Sequence, residues 1–347
     1  MAGDNAKEQK AATIHDVARL AEVSKSTVSN VIRDVSGVNP ETRERVQEAI
    51  RVLGYRPNVV ARQLVQQRTS LLGIVIGDLG NPFYAEMAKL IESFATAHGF
   101  QLMFCNTQVD ENTELAGIRS LIEHRVAGLV FLAYAGDAES ARQAVGAQLP
   151  VVFVTCDADW GDVVAVDDFA AAGAATQHLI DLGHRRIAYF ADTVHEARAE
   201  TARQGGYALA LQTMGVAPTV LRWHDRPWLV DTVDGIRSMQ AILTGPDRPT
   251  AIFAANDLHA VDILDAADQF GLNVPKDLSV IGFDDVAISR IARISLTTIA
   301  QPKEALARLA VDLITGRIKG TVKGPHQRHS LDFTLLQRRT TGPGSSG

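Results

Sequence analysis

From Ser70 onward, apolar runs of strand length alternate with amphipathic stretches of helical length, and no other feature narrows the fold as much. The runs read as strands are Leu71–Gly77, Phe100–Cys105, Gly128–Ala133, Val151–Thr155, Val163–Val166, Arg186–Phe190, Thr250–Ala254 and Leu278–Phe283. Such alternation specifies parallel sheets with helices on both faces. The stretch is longer than one sheet of this kind takes, so two similar lobes are expected. A short echo supports the duplication: His98-Gly99-Phe100, His124–Gly128 and Leu182–Arg186 each join a helix end to a strand. The chain should cross between lobes at Val166-Asp167-Asp168. It should return near Leu296–Ile299, a β-rich stretch followed by a helix from Pro302. The expected lobes are residues 69–166 with 298–325, and 167–297 with 326–340. Together they would form a hinged clamp that closes around a ligand.

Residues 12–57 follow a different rule. Ile14–Ala21 reads as a helix capped by Thr13, with Asp16 completing a capping box. A second helix starts at the N-cap Ser24 and runs to Ile32. A third begins at Asn39-Pro40, buries Val46, Ala49, Ile50 and Leu53 on one face, and stops at Gly54. The first two helices, joined by Ala21-Glu22-Val23, have the spacing of a helix-turn-helix, whose second helix fits the DNA major groove. That helix exposes Lys25, Ser26, Ser29 and Asn30 and turns Val28, Val31 and Ile32 inward. Spacing alone also fits a small helical bundle with no nucleic-acid role. Charge favours the first reading: the whole chain carries −6, yet residues 1–68 carry 11 Lys/Arg against 8 Asp/Glu. A basic module on an acidic body fits a nucleic-acid contact confined to one end. Residues 1–11 and 341–347 read as a disordered tail and a flexible tail, and 58–68 as a linker.

The resemblance goes further. Thr13–Ala18, Val23–Ser29, Thr42–Val46, Gly54–Asn58 and Ala61–Leu64 occur in order, followed by Gly73–Ile76, Asn81–Glu86, Arg125–Leu129, Leu182–Ile187, Ala255–Asp257, Ile281–Asp285 and Leu296–Ile299. This chain resembles the lactose/galactose repressor family over residues 13 to about 340. The resemblance implies an all-α helix-turn-helix headpiece with a hinge helix, then an α/β two-lobe effector domain like the periplasmic sugar-binding proteins. It implies a repressor that binds a palindromic operator as a homodimer. Lys25, Ser26 and Asn30 would read bases, and Thr13, Ser24, Thr27, Arg33 and Thr42 would contact phosphates or fix the docking. The family usually has Arg where this chain has Asn30. Arg grips guanine with two bonds, whereas Asn suits adenine, so the preferred base at that operator position should change. Glu22 stands where many members have Gly. Asn58, Ala61, Arg62 and Leu64 match the hinge helix, and Leu64 matches the wedge that opens a central base step in the minor groove. A linker leucine packed on the core domain is the plainer reading of Leu64.

Ligands of such folds sit at the carboxyl ends of the strands. Asp78 ends the first strand, Phe83 and Tyr84 begin the helix after it, Arg203 is read at a helix start, Trp228 in a loop before a helix, and Asn256, Asp257 and Asp284 follow strands. The resemblance implies effector contacts for Arg203, Asn256 and Asp284. Carboxylates, amides and Arg suit sugar hydroxyls, and aromatic rings suit the apolar faces of a sugar. The plainer readings are a helix cap for Asp257 and a surface aromatic for Trp228. A sugar effector is expected, with a purine or other metabolite acting as corepressor the alternative. Cys105 and Cys156 read as buried reduced thiols. No dinucleotide or phosphate-binding glycine motif, nucleophile elbow or metal-ligand spacing is present, so no enzyme, cofactor or metal is expected. With no signal-like N-terminus and no membrane-length apolar run, a cytoplasmic protein with no membrane contact is expected rather than an exported solute receptor. The tail lacks leucine heptads, so assembly should stop at a dimer.

Overall fold

The computed structural model describes residues 12–32, 34–55, 69–108, 110–132, 138–191, 198–222 and 233–344. The chain divides into two units at Thr69/Ser70. In the first, α1 (Ile14–Leu20), α2 (Lys25–Ile32) and α3 (Pro40–Leu53) enclose one small core of Val17, Ala18, Ala21, Val28, Val31, Val46 and Ala49. Each helix is started by its own sequence. Thr13 and Asp16 form the reciprocal capping box of α1. Asn39 accepts the Glu41 N–H at 3.0 Å before Pro40. Gly54 closes α3 in the left-handed conformation, φ 58°. Glu22, in the α1–α2 turn, also takes a left-handed φ of 52°. That explains why glycine would suit this corner: a side chain there is strained.

The second unit opens with β1 (Leu71–Ile76), α4 (Pro82–Ala97), β2 (Gln101–Asn106), α5 (Glu111–Glu123), β3 (Leu129–Phe131), α6 (Ala138–Val145), β4 (Val151–Val154) and β5 (Asp162–Val166). It continues with α7 (Asp168–Asp181), β6 (Ile187–Ala191), α8 (Arg198–Gln212), β7 (Thr219–Arg222), α9 (Val233–Thr244), β8 (Ala251–Ala254), α10 (Asp257–Gln269) and β9 (Ser279–Asp284). A short 3₁₀ turn (Ala287–Arg290), β10 (Thr297–Ala300), α11 (Lys303–Lys319), β11 (Arg328–Leu331) and β12 (Thr334–Leu336) complete it.

The strands form two sheets, β11-β5-β4-β3-β1-β2 and β12-β10-β9-β8-β6-β7. Neighbours are parallel except β10 and β12. Both sheets therefore repeat one doubly wound order, 2-1-3-4-5, with an extra edge strand from the C-terminal stretch. Each is buried on both faces: the first by α4 and α11 on one side and α5 and α6 on the other, the second by α7 and α8 and by α9 and α10.

The expected lobe boundaries differ from this in two places. β10 pairs with β9 in the second sheet, so the return to the first follows Ala300. β11 pairs with β5 in the first sheet, so the last crossing lies between Leu331 and Thr334. The reading by sequence missed β7, β11 and β12. All three are short edge strands with exposed or alternating side chains, so none shows an apolar run. The expected flexible tail is also corrected. Thr341 is buried, a His184 ring nitrogen donates to the Gly342 carbonyl at 3.1 Å, and the Gly344 N–H bonds Leu182 O at 2.7 Å. Residues 341–344 are tied to the amino ends of β9 and β10 and to the turn before β6; 345–347 lie outside the described residues. Among the described residues, no helix is long and apolar enough to cross a membrane.

Candidate functional site

In the first unit, three hydroxyls organise the start of α2. Ser24 Oγ accepts the Thr27 N–H at 3.1 Å and shares hydrogen bonds with Ser26 Oγ at 2.7 Å and Thr27 Oγ1 at 2.8 Å. Lys25 and Ser26 are exposed beside them, and Ser29 and Asn30 lie half-buried one turn on. The helix thus offers short polar groups on a rigid, capped N-terminus while Val28 and Val31 anchor its other face. Thr13 is occupied by its capping box, and Thr42 is half-exposed on the first turn of α3. Arg33, Asn58, Ala61, Arg62, Leu64 and Trp228 lie outside the described residues.

In the second unit, charge converges at the carboxyl ends of the second sheet. Arg203 is brought there by an unusually close crossing of α7 and α8. A Cβ on Gly206 would stand 2.1 Å from Phe169 O and 3.0 Å from Gly173 N, so only glycine permits the approach. The Arg203 guanidinium donates from Nε to Asp168 Oδ1 at 2.7 Å and from Nη1 to Ala255 O at 2.7 Å, and lies 3.8 Å over the Phe283 ring. Asp284 ends β9 in a strained conformation, φ 111°, and accepts from Gln301 Nε2 at 2.8 Å. For a non-glycine residue such a backbone costs on the order of 1–3 kcal/mol, and strain of this kind collects at ligand sites.

Burial raises the Asp284 carboxyl to about 6, against the pull of Arg203, Gln301 and Lys303. Its neighbour Asp285 moves the other way: burial would raise it, but bonds from Arg290 and Arg338 outweigh that and hold it low. Burial raises Asp168 despite Arg203. Arg203 stays charged because Asp168 and Asp284 outweigh its own desolvation. The two adjacent aspartates therefore divide their work: Asp285 is consumed by structure, Asp284 faces the site.

The other expected residues separate in the same way. Asn256 caps α10, its Oδ1 accepting the His259 N–H at 2.9 Å, which leaves its amide donors for another acceptor. Asp78, after β1, is half-exposed, and its carboxylate accepts the Gly80 N–H at 2.8 Å. Tyr84 is half-buried against Phe83. Two residues leave the site. Phe83 is buried in the first sheet's core rather than offering a ring face. Asp257 is fully buried, its oxygens taken by the Val286 N–H at 2.8 Å and Thr298 Oγ1 at 2.5 Å, because the β9–β10 corner needs both acceptors. It is the first residue of α10, and Asn256, not Asp257, is the cap.

Two family models match this chain: "Bacterial regulatory proteins, lacI family" over residues 13–58, and "Periplasmic binding protein-like domain" over residues 176–341. The ribose operon repressor of Escherichia coli is 35% identical over 334 residues, 94% of this chain and 99% of that one. Catabolite control protein A of Priestia megaterium is 35% identical over 305 residues, 87% of this chain and 91% of that one. A crystal structure of the lac repressor dimer bound to operator and an anti-inducer superposes with a TM-score of 0.82 at 28% identity, covering 96% of this chain and all of that one. The chain belongs to the lacI family.

It is therefore a DNA-binding transcriptional regulator controlled by a small-molecule effector. Within the lacI-family frame, the sequence reading missed Asp168, Phe283, Gln301 and Lys303 as members of the cleft cluster. Asp168 was visible only as the start of an alanine-rich helix. Gln301 and Lys303 lie 17 and more residues from Asp284 and reach it because β10 lies beside β9. No local pattern announces such a contact.

Proposed function

We propose that this regulator reads a palindromic operator as a homodimer and answers to a neutral polyhydroxylated ligand, a sugar of pentose type. The carrying observation is the pairing of Arg203 with Asp168 beside Asp284. Among the described residues, both cations of the cluster are matched: Arg203 by Asp168, with Asp284 facing it, and Lys303 by Glu86, so neither is spare for a phosphate or carboxylate. Acceptors on Asp284 and Asp78 and donors on Asn256 and Arg203 suit vicinal hydroxyls. The name of the 35%-identical ribose operon repressor supports the same class. Lys25, Ser26 and Asn30 would contact bases, with Ser24, Thr27 and Thr42 on phosphates. Two copies are required because one recognition helix reads one half-site. Arg62 and Leu64 would supply the minor-groove contact, so Leu64→Ala should lose specific affinity with the fold intact.

Thermal-shift measurement of the full chain against D-ribose, D-xylose, ribose 5-phosphate and nucleobases tests the effector. A neutral pentose should raise the transition temperature, because a ligand that binds only the folded state stabilises it. A shift from the phosphate or a nucleobase alone would overturn the sugar assignment. Selection of random duplexes tests the operator. Failure to recover any inverted repeat at low salt would overturn that half.

A further inference from the structure

The connection from β9 to β10 does not stay with its own sheet. After Asp284 it leaves the second lobe, buries Val286 in the first sheet's core with Ile288 packed against that core, and then returns to β10. Two consecutive left-handed residues, Asp284 (φ 111°) and Asp285 (φ 52°), turn it out, and Ser295 (φ 45°) turns it back. On the second-lobe side it is tied by Asp257 to the Val286 N–H at 2.8 Å, and by Arg338 to Ser289 Oγ at 3.1 Å. On the first-lobe side two residues hold it. Glu86, on α4, accepts the Ala287 N–H at 2.7 Å through Oε1 and pairs with Lys303 Nζ at 2.6 Å through Oε2. Lys303, at the start of α11, also donates to the carbonyls of Asp285 at 2.6 Å and Asp284 at 3.3 Å.

We propose that residues 285–291 are a clasp between the two lobes, and that Glu86 and Lys303 form its releasable latch and position Asp284. The apolar plug supplies adhesion without direction. The latch supplies direction: Lys303 reaches the backbone of the strained corner that carries Asp284, and Glu86 connects that corner to α4. The Glu86 side chain is 30% exposed and that of Lys303 10%, so water reaches the pair without dissolving it. Engagement of the Asp284 carboxylate and closure of the lobes are thereby a single event, since neither the corner nor α4 can shift without breaking the same three-way contact. This assigns Lys303 a positioning role at a distance from the ligand itself.

The test needs no effector, so its outcome is independent of the sugar assignment. Hydrogen exchange is followed in the full-length protein for peptides covering residues 284–291 and for core peptides of α4 and α11. In Lys303→Met, the 284–291 peptide should exchange about tenfold faster while the core peptides keep their protection, the pattern of a local rather than global opening. Lys303→Arg should restore most of that protection. Glu86→Gln, which keeps the acceptor for Ala287 but loses the ion pair, should fall between. Spin labels on the exposed Ser93 of α4 and Asp268 of α10 should give a broader distance distribution in Lys303→Met than in the parent. Unchanged exchange at 284–291 in both Lys303→Met and Glu86→Gln overturns the latch. So does a uniform rise across the whole unit, which would mean a merely structural pair. Should Lys303→Met not fold, Glu86→Gln and Lys303→Arg decide by the same comparison.

Discussion

The two halves of the effector unit share one topology and each buries an Arg–Asp pair, but at opposite ends of the sheet. In the first half, Asp162 begins β5 and receives Arg317 Nε at 2.9 Å, Arg317 Nη2 at 2.7 Å and the Gln327 N–H at 2.7 Å. In the second, Arg203 and Asp168 meet at the carboxyl ends of the strands, next to Asp284. The first pair is closed: the Asp162 carboxylate has three donors, and Arg317 also serves the carbonyls of Gly324 and Pro325. The second is open, one cation shared between two carboxylates. Burial keeps the Asp284 pKa raised although Gln301 donates to it and Arg203 and Lys303 pull it down. The same chemistry staples α11 to a sheet in one place and in the other leaves the open cluster proposed above as the effector site. What separates the roles is which end of the strands the pair occupies.

The largest expected effects test whether that separation holds. Arg317→Met and Arg203→Met should each cost about 3–5 kcal/mol in urea unfolding, since each leaves a buried carboxylate uncompensated. Only Arg203→Met should also abolish the thermal response to a pentose. An Arg317→Met protein that folds yet no longer responds would erase the distinction.

A smaller effect concerns the open pair's second carboxylate. A carboxyl whose folded pKa is raised from 3.8 to about 6 holds a proton longer in the native state than in the unfolded chain. Its contribution is fully present below the unfolded value and is lost as pH rises through the folded one. Between pH 4 and 6.5 the parent should therefore lose roughly 2–3 kcal/mol of stability relative to Asp284→Asn. Coincident pH profiles of the two proteins would show that Asp284 is solvated after all. The variant should keep DNA binding but respond weakly to effector.

Asn256→Ala should cost about 1 kcal/mol, the usual value of an N-cap, together with a loss of effector affinity. Asp78→Asn, on the first half's side of the cleft, should change stability by less than about 0.5 kcal/mol, as surface substitutions do, and weaken effector binding least. An Asp78 effect larger than that of Asn256 would invert the assignment of recognition to the second half.

Much of this molecule is legible in one dimension. The headpiece is local: Thr13 with Asp16, Ser24 with Thr27, and Asn39 before Pro40 are contacts across two or three residues. Eight strands announce themselves as continuous apolar runs because both faces of their sheets are covered. Asn256 and Asp284 were identifiable as helix-start and strand-end positions, whereas Arg203, expected at a helix start, lies in the second turn of α8. Edge strands were not: the alternating exposure of Arg328–Leu331 looks like loop. Nor was the fate of Phe83 and Asp257, since facing a cleft or facing a core depends on rotation of a helix against neighbours distant in sequence.

The sequence by itself determined the headpiece, the α/β alternation and the family, because caps, turns and apolar periodicity act over a few residues. Only the tertiary structure decided to which sheet β10 and β11 belong and that residues 341–344 are strapped down. It alone decided that Asp284 and Asp285 titrate in opposite directions, and that Lys303 grips the corner between them and Glu86. Those outcomes rest on pairing, burial and charge between residues far apart in the chain, and such energies exist only once the sheets have assembled.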